Sequence, residues 1–334
     1  MSSAPAAGQL RPGTPAIDRR RAKRKAAWRR RGLVLMLLSP WLVGFSVFFG
    51  YPLVMSVYLS FTHYDLLGSP RWIGLANYRY LFGTDQQVWP AMRNTLWMIC
   101  IAVPLQVLFA FGIAMMVSRA RRGVGIFRTV FYLPALAPPV AATLGFVYIL
   151  NPATGPVNTL LGHLGIQGPL WFQSPDWAKP SLALLAVWGV GNLMVIFLAA
   201  ILDVPTHLYE SAEIDGAGPL QRLRWVTLPS ISPVILFAVV LGVIQGLQYF
   251  TQAYVAANIA SGQASQAGDI SNTLGYPEGS TLFYPILLYQ NGFRNFSMGY
   301  AAAMAMVLLV VSLAVTLVIL INSRRWVHYA GAVR

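Results

Sequence analysis

Tyr209-Glu210-Ser211-Ala212-Glu213-Ile214-Asp215-Gly216-Ala217, followed after a spacer by Val226-Thr227-Leu228-Pro229, is a polar, acid-bearing insert between two long apolar segments. From Thr206 to Ile214 the residues favour a short helix entered through Pro205, whose missing N–H would be unpaired in a first turn anyway. Leu208 and Ala212 share one side at i, i+4, and Glu210 and Glu213 share the opposite side at i, i+3. Asp215-Gly216 ends the helix, because glycine accepts the positive φ of a tight stop. Gly218-Pro219 opens a second short helix through Trp225, carrying Arg222 and Arg224, and Leu228-Pro229 returns the chain to apolar sequence. By pattern alone the insert reads as a solvated amphipathic loop or as a surface shaped for another protein.

The rest of the chain fixes the setting. Of 334 residues, 56% are hydrophobic and only 10% charged, with a mean hydropathy of +0.58. A soluble domain carries about 25% charged residues, so this is an all-α integral membrane protein. The net charge of +14 does not indicate nucleic acid, because the basic residues sit where apolar runs end. Nine of the 24 lie between Arg19 and Arg31, and others cluster at Arg119, Arg121, Arg122, Arg128, Arg222, Arg224, Arg324 and Arg325. Residues 1–31 read as a disordered, basic cytoplasmic segment whose arginines touch anionic membrane lipid. Cys100 is the sole cysteine and excludes an internal disulfide.

Six segments have the roughly 20 apolar residues that a spanning helix needs. They are Leu33–Phe61, Met92–Val117, Gly125–Leu150, Pro180–Leu202, Pro229–Ala256 and Met298–Ile321, within a six-helix transmembrane domain of residues 32–323. An even number places both termini on one side, and the arginines place that side in the cytoplasm. The insert at about 204–228 and the tail 324–334 then face inward. The outward loop from Ala257 to Phe296 is too long for a plain connector and predicts a re-entrant or partner-facing segment.

Polar residues inside spans are costly and face a cavity or a neighbouring helix. Gln245, Gln248 and Gln252 fall at i, i+3, i+7 with Tyr249 beside them, and Trp188 and Asn192 at i, i+4 in the preceding span. Amides and aromatic faces suit a neutral polyhydroxylated solute, and they serve equally for interhelical bonding worth about 0.6 kcal/mol per contact. No ionisable residue lies deep in these two spans, which argues against an ion, a strongly charged solute or proton coupling.

The sequence Glu210-Ser211-Ala212, with Gly216 four residues on and Val226-Thr227-Leu228-Pro229 after it, resembles the cytoplasmic signature of permeases of binding-protein-dependent ABC importers. The family pattern is Glu-Ala-Ala, three residues, Gly, nine residues, Ile, any residue, Leu-Pro; here Ser211 and Val226 depart from it. Arg128-Thr129-Val130-Phe131-Tyr132-Leu133-Pro134, Leu208-Tyr209-Glu210 and Phe296-Ser297-Met298-Gly299-Tyr300 are similar to the carbohydrate class, and Arg324-Arg325-Trp326-Val327-His328-Tyr329 resembles the end of its first permease subunit. The resemblance implies a type I ABC importer permease fold: six transmembrane helices with a cytoplasmic coupling helix. It implies that Glu210, Ser211, Ala212, Asp215, Gly216, Ala217, Leu228 and Pro229 meet an ATPase. It further implies a heterodimer with a second permease subunit, two ATPase subunits and an extracytoplasmic sugar-binding lipoprotein or periplasmic protein. The cargo would be a di- or oligosaccharide of the trehalose or maltose type. No Gly-rich phosphate loop occurs, so the chain is expected to be non-catalytic and to bind no cofactor, with ATP and Mg used by the partner ATPase. The alternatives are a permease for glycerol phosphate or a polyamine, or a stand-alone secondary carrier.

Overall fold

The computed structural model describes residues 32–120, 123–262, 274–325 and 327. The basic segment 1–31, Arg121, Arg122, Trp326 and the tail 328–334 therefore lie outside the described residues. The chain divides into two compact units between Tyr58 and Leu59. In the first unit the described chain is one apolar helix, α1 (Gly32–Ser60), which continues to the start of the second. Its large side chains are exposed, and Trp41, Phe45 and Phe49 stack along it at 5.4 and 5.8 Å.

The second unit opens with a short antiparallel pair, β1 (Thr62–His63) and β2 (Arg71–Trp72), in the register Thr62 opposite Trp72. Helix α2 (Ala76–Gly83) leads into α3 (Val88–Arg119), a 32-residue helix with Pro104 inside it. Next come α4 (Val124–Tyr132), a 3₁₀ turn Leu133–Leu136 and α5 (Pro139–Ile149). Helix α6 (Pro156–His163) precedes α7 (Pro175–Trp188) and α8 (Gly191–Leu202). The insert helix is α9 (Thr206–Ile214); then α10 (Pro219–Leu247), α11 (Thr251–Ala260), α12 (Tyr284–Tyr289) and α13 (Met298–Ser323) complete the chain.

Four helices, α1, α3, α10 and α13, are long and apolar enough to cross a membrane singly. Two bent pairs, α4 with α5 at 98° and α7 with α8 at 49°, bring the number to six if each pair is one span. Counted that way, the described helices match the expected six segments, with three corrections. The third is sharply broken, because Pro134, Pro138 and Pro139 deny backbone donors where a continuous helix would need them. The fourth begins at Pro175, not Pro180, and bends between Trp188 and Gly191. The fifth ends at Leu247, not Ala256, and begins at Pro219, so the expected second insert helix and the span are one rod.

That rod survives its prolines by local repair. A π turn at Leu223–Thr227 shifts the ladder just ahead of Pro229. Pro233 cannot donate to the carbonyl of Pro229, and the Ser232 hydroxyl donates to it instead at 2.7 Å. At the other end Gly242 and Gly246 face α3, where an added Cβ would sit 2.7 Å from Val103 Cγ1 and 2.7 Å from Ile99 Cγ1 respectively. This small-xxx-small spacing lets α3 and α10 approach closely.

Two apolar cores stack along α3. One holds Leu81, Val88, Met98, Phe172, Leu182, Phe283, Tyr284, Ile286 and Leu287. The other holds Ala110, Ile113, Val117, Met194, Phe197, Ile201 and Ile231, with Tyr209 and Val226 of the insert region packed on it. The long segment after α11 is no plain connector: residues 282–287 fold back into the first core, with Phe283, Tyr284, Ile286 and Leu287 fully buried. Asn94 donates to the carbonyls of Gly279 (2.9 Å) and Leu282 (3.1 Å), and the Tyr284 N–H donates to Thr95 Oγ1 at 2.9 Å. These bonds satisfy backbone that would otherwise be buried without partners.

Candidate functional site

The insert folds as its residues require. Helix α9 ends in a left-handed Gly216 at φ +78°, with Ala217 N–H donating to the Ala212 carbonyl (2.8 Å) and Gly216 N–H to that of Glu213 (3.0 Å). This is the Schellman stop, in which a residue with a Cβ would be strained. Gly218 N–H donates to Gln221 Oε1 at 2.7 Å, starting α10. Arg222 donates to Glu213 Oε2 at 3.1 Å across the corner, and the Tyr209 and Thr227 hydroxyls meet at 3.0 Å. The corner is thus braced from both helices.

Glu210, Ser211, Asp215 and Gly216 are exposed, while Ala212 and Ala217 are half-buried. Leu228 and Pro229 are half-buried inside α10, behind the insert and not on its tip. The sequence reading passed over the apolar part of this tip. Ile214 is 87% exposed, Leu220 76% and Trp225 71%, the last with the Arg224 guanidinium 5.3 Å from its ring centre. The signal was available: apolar residues at a helix stop and start have no core of their own to enter.

Between the two cores lies a cavity of about 560 Å³. Trp188, Asn192, Gln245, Gln248, Tyr249 and Gln252 all line it. The expected geometry was different, however. Gln248 is the C-cap of α10 and Gln252 belongs to α11, so the three glutamines do not share one helix face. Trp188 and Asn192 stand on either side of the α7–α8 bend. The cavity sits where the three helix breaks converge, its wall including Pro134, Ala135 and Ala137 of the first, Gly189 and Val190 of the second, and Tyr249 and Phe250 of the third. Irregular backbone at membrane depth is tolerated only where protein or a water-filled cavity surrounds it.

Gln106 of α3 also lines the cavity. It was missed, although an amide in so apolar a run is itself a signal. The Tyr249 hydroxyl is buried without a partner among the described residues, and its ring meets Phe283 edge-on at 5.6 Å. Among the described residues, no Asp, Glu, Lys, Arg or His lines the cavity, and none forms a group of three or more metal-ligating side chains. Such a lining offers amide donors and acceptors, aromatic faces and no fixed charge.

A family model described as "binding-protein-dependent transport system inner membrane component" matches residues 106–328. The chain is 39% identical over 294 residues to the probable ABC transporter permease protein YesP of Bacillus subtilis, covering 87% of this chain and 90% of that protein. It is 30% identical over 307 residues to the arabinooligosaccharides transport system permease protein AraP of the same species, covering 89% and 92%. Among solved structures, it is similar to a chain of a bacterial ABC transporter involved in the import of the acidic polysaccharide alginate, with a TM-score of 0.70, 25% identity and coverage of 91% and 99%.

Proposed function

Because the chain belongs to the family of binding-protein-dependent transport system inner membrane components, we propose that it is the permease subunit of an ATP-driven importer of neutral di- or oligosaccharides. It supplies half of the translocation path, pairs with a second permease, and is served by two ATPase subunits and an extracytoplasmic sugar-binding protein. The named relatives support saccharide cargo, since AraP is a permease for arabinooligosaccharides and the solved neighbour belongs to an alginate importer. Trehalose- or maltose-type sugars fit the same chemistry, in which amides bridge hydroxyls and rings cover the apolar face of a pyranose.

The observation that carries this reading is the rod α10. One end forms the braced corner with α9, and the other presents Gln245 and Gln248 to an uncharged cavity. An ATPase gripping Glu210, Ala212, Asp215 and Gly216 on the cytoplasmic side would move the cavity wall directly, biasing a two-state path. A glutamate at such an interface contributes mainly register and specificity. The uncharged wall also ranks glycerol phosphate and polyamines below neutral sugars, because a buried ionic cargo needs a paired charge.

The test is reconstitution of the purified assembly in proteoliposomes. ATP-dependent uptake of maltose, trehalose, lactose or arabinotriose supports the reading. Uptake that persists without any nucleotide-hydrolysing subunit overturns it in favour of a stand-alone carrier.

A further inference from the structure

A row of aromatic rings leaves the cavity on the side of the first core. Phe250, which lines the cavity, stacks on Tyr254 of α11 at 5.3 Å and 18°. Tyr289, at the end of α12, packs on both, 5.3 Å from Phe250 and 5.6 Å from Tyr254. Phe293 continues the row, stacked on Tyr289 at 5.5 Å and 28°, and is itself 58% exposed. Phe250 and Tyr254, like Tyr289 and Phe293, stand four residues apart, so two helical segments offer one aromatic face each. The row ends at the end of the body remote from the insert. There α13 begins, and the Tyr300 hydroxyl donates to Asp85 Oδ2 at 2.6 Å, just ahead of α3.

Phe250, Tyr254 and Tyr289 pack on one another, and Phe250 and Tyr254 lie against the first core, yet the cluster is not sealed. It keeps Phe250, Tyr254 and Tyr289 only half-buried and opens at Phe293. Gln252 lines the cavity beside Phe250, and Gln290, next after Tyr289, is also half-buried; Asn291 instead turns inward, its amide donating to the Leu287 carbonyl at 3.0 Å and reaching Met304 Sδ at 3.8 Å. Glutamine here is costly for contact with lipid hydrocarbon. Rings flanked by amides instead match a saccharide, whose C–H faces stack on aromatic planes while its rim hydroxyls take hydrogen bonds.

We propose that Phe250, Tyr254, Tyr289 and Phe293 form an entry track for neutral oligosaccharides, along which glycosyl rings stack in succession between the outer surface and the amide-lined cavity. The proposal rests on the saccharide reading above and adds to it a second set of subsites in this subunit. Ring centroids spaced at 5.3 to 5.5 Å from Phe250 to Tyr289 to Phe293 hand one glycosyl unit to the next without a break. Because every pyranose or furanose has an apolar face, the track is tolerant of sugar identity and sensitive to chain length.

The experiment uses the complete transporter in proteoliposomes, with Cys100→Ser removing this chain's sole native thiol and the labelling read on this chain alone. Tyr289→Cys and Phe293→Cys are then exposed to a membrane-impermeant, water-soluble methanethiosulfonate, with and without maltotriose or arabinotriose and the binding protein. The track predicts reaction at both positions and slowing of several-fold by whichever trisaccharide supports uptake. No reaction, meaning that the rings face lipid or the second permease, overturns it, and so does reaction without sugar protection. In parallel, Tyr289→Leu keeps apolar volume but removes the ring. The expected result is a KM for trisaccharide uptake raised about tenfold with the maximal rate retained, and a smaller effect on a monosaccharide. An unchanged KM overturns the track while leaving the transport reading intact. Failure of the unsubstituted transporter to take up either sugar with ATP overturns that reading itself.

Discussion

The insert and the cavity are built on opposite plans. The insert closes on itself through neighbours in sequence: Ala217 bonds Ala212, Arg222 reaches Glu213, and Tyr209 meets Thr227. The cavity has no such local logic. Its polar wall is gathered from Gln106 of α3, Asn192 of α8, Gln245 and Gln248 of α10 and Gln252 of α11, brought together only because three spans break at one level. A local device of this kind is stiff and carries its shape wherever it is placed. An assembled one is sensitive to every helix that borders it, which suits the moving wall proposed above.

Four substitutions probe that contrast, the most damaging first. Gly216→Pro should abolish uptake with the protein still assembled in the membrane, because proline holds φ near −65° where +78° is required. Wild-type uptake by this variant in proteoliposomes would show that the corner's shape is not what the partner reads. Gly246→Leu should force α3 and α10 apart at Ile99, lowering stability by about 1–3 kcal/mol in detergent thermal unfolding and depressing uptake. Unaltered melting would mean that the two helices have slack at the cavity.

Gln248→Ala should weaken sugar affinity several-fold without changing expression, as expected for one amide hydrogen bond of about 1 kcal/mol. Identical kinetic constants would reassign this residue to helix packing. Arg222→Ala removes an exposed ion pair and should cost about 0.2–1 kcal/mol at most, with uptake near normal, since the Schellman stop holds the corner without it. A large loss here would move the bracing from backbone to side chains.

The same contrast explains what could be read from the sequence. The insert was legible because its signals are local: a proline entry, an acidic face, a glycine stop and a proline return within two dozen residues. The spans were legible as apolar runs, but their breaks were not. Trp188 and Asn192 looked like one helix face, but the helix caps at Gly189 and restarts at Gly191, where a Cβ would sit 2.8 Å from the Phe131 carbonyl oxygen, a contact between distant segments that the local sequence does not reveal. The glutamines were found for a reason that did not hold. Their shared periodicity proved irrelevant, since the helix stops at Leu247, yet polarity inside an apolar segment still pointed to a cavity. Phe283 and Tyr284 lie in the long segment after α11 and belong to the core, and only the hydrogen bonds made with Asn94 and Thr95 reveal where that segment docks.

The unbroken course of α10 from Pro219 to Leu247 sets a rule for anyone who would transplant the insert, the proposed docking elbow, from one such transporter into another. A graft whose seam falls at Leu228-Pro229, the obvious border between water-soluble and greasy sequence, cuts a single girder of roughly 43 Å, at 1.5 Å per residue, just past its π turn. A seam at Gly218 leaves that girder whole, and the swapped piece then carries recognition alone.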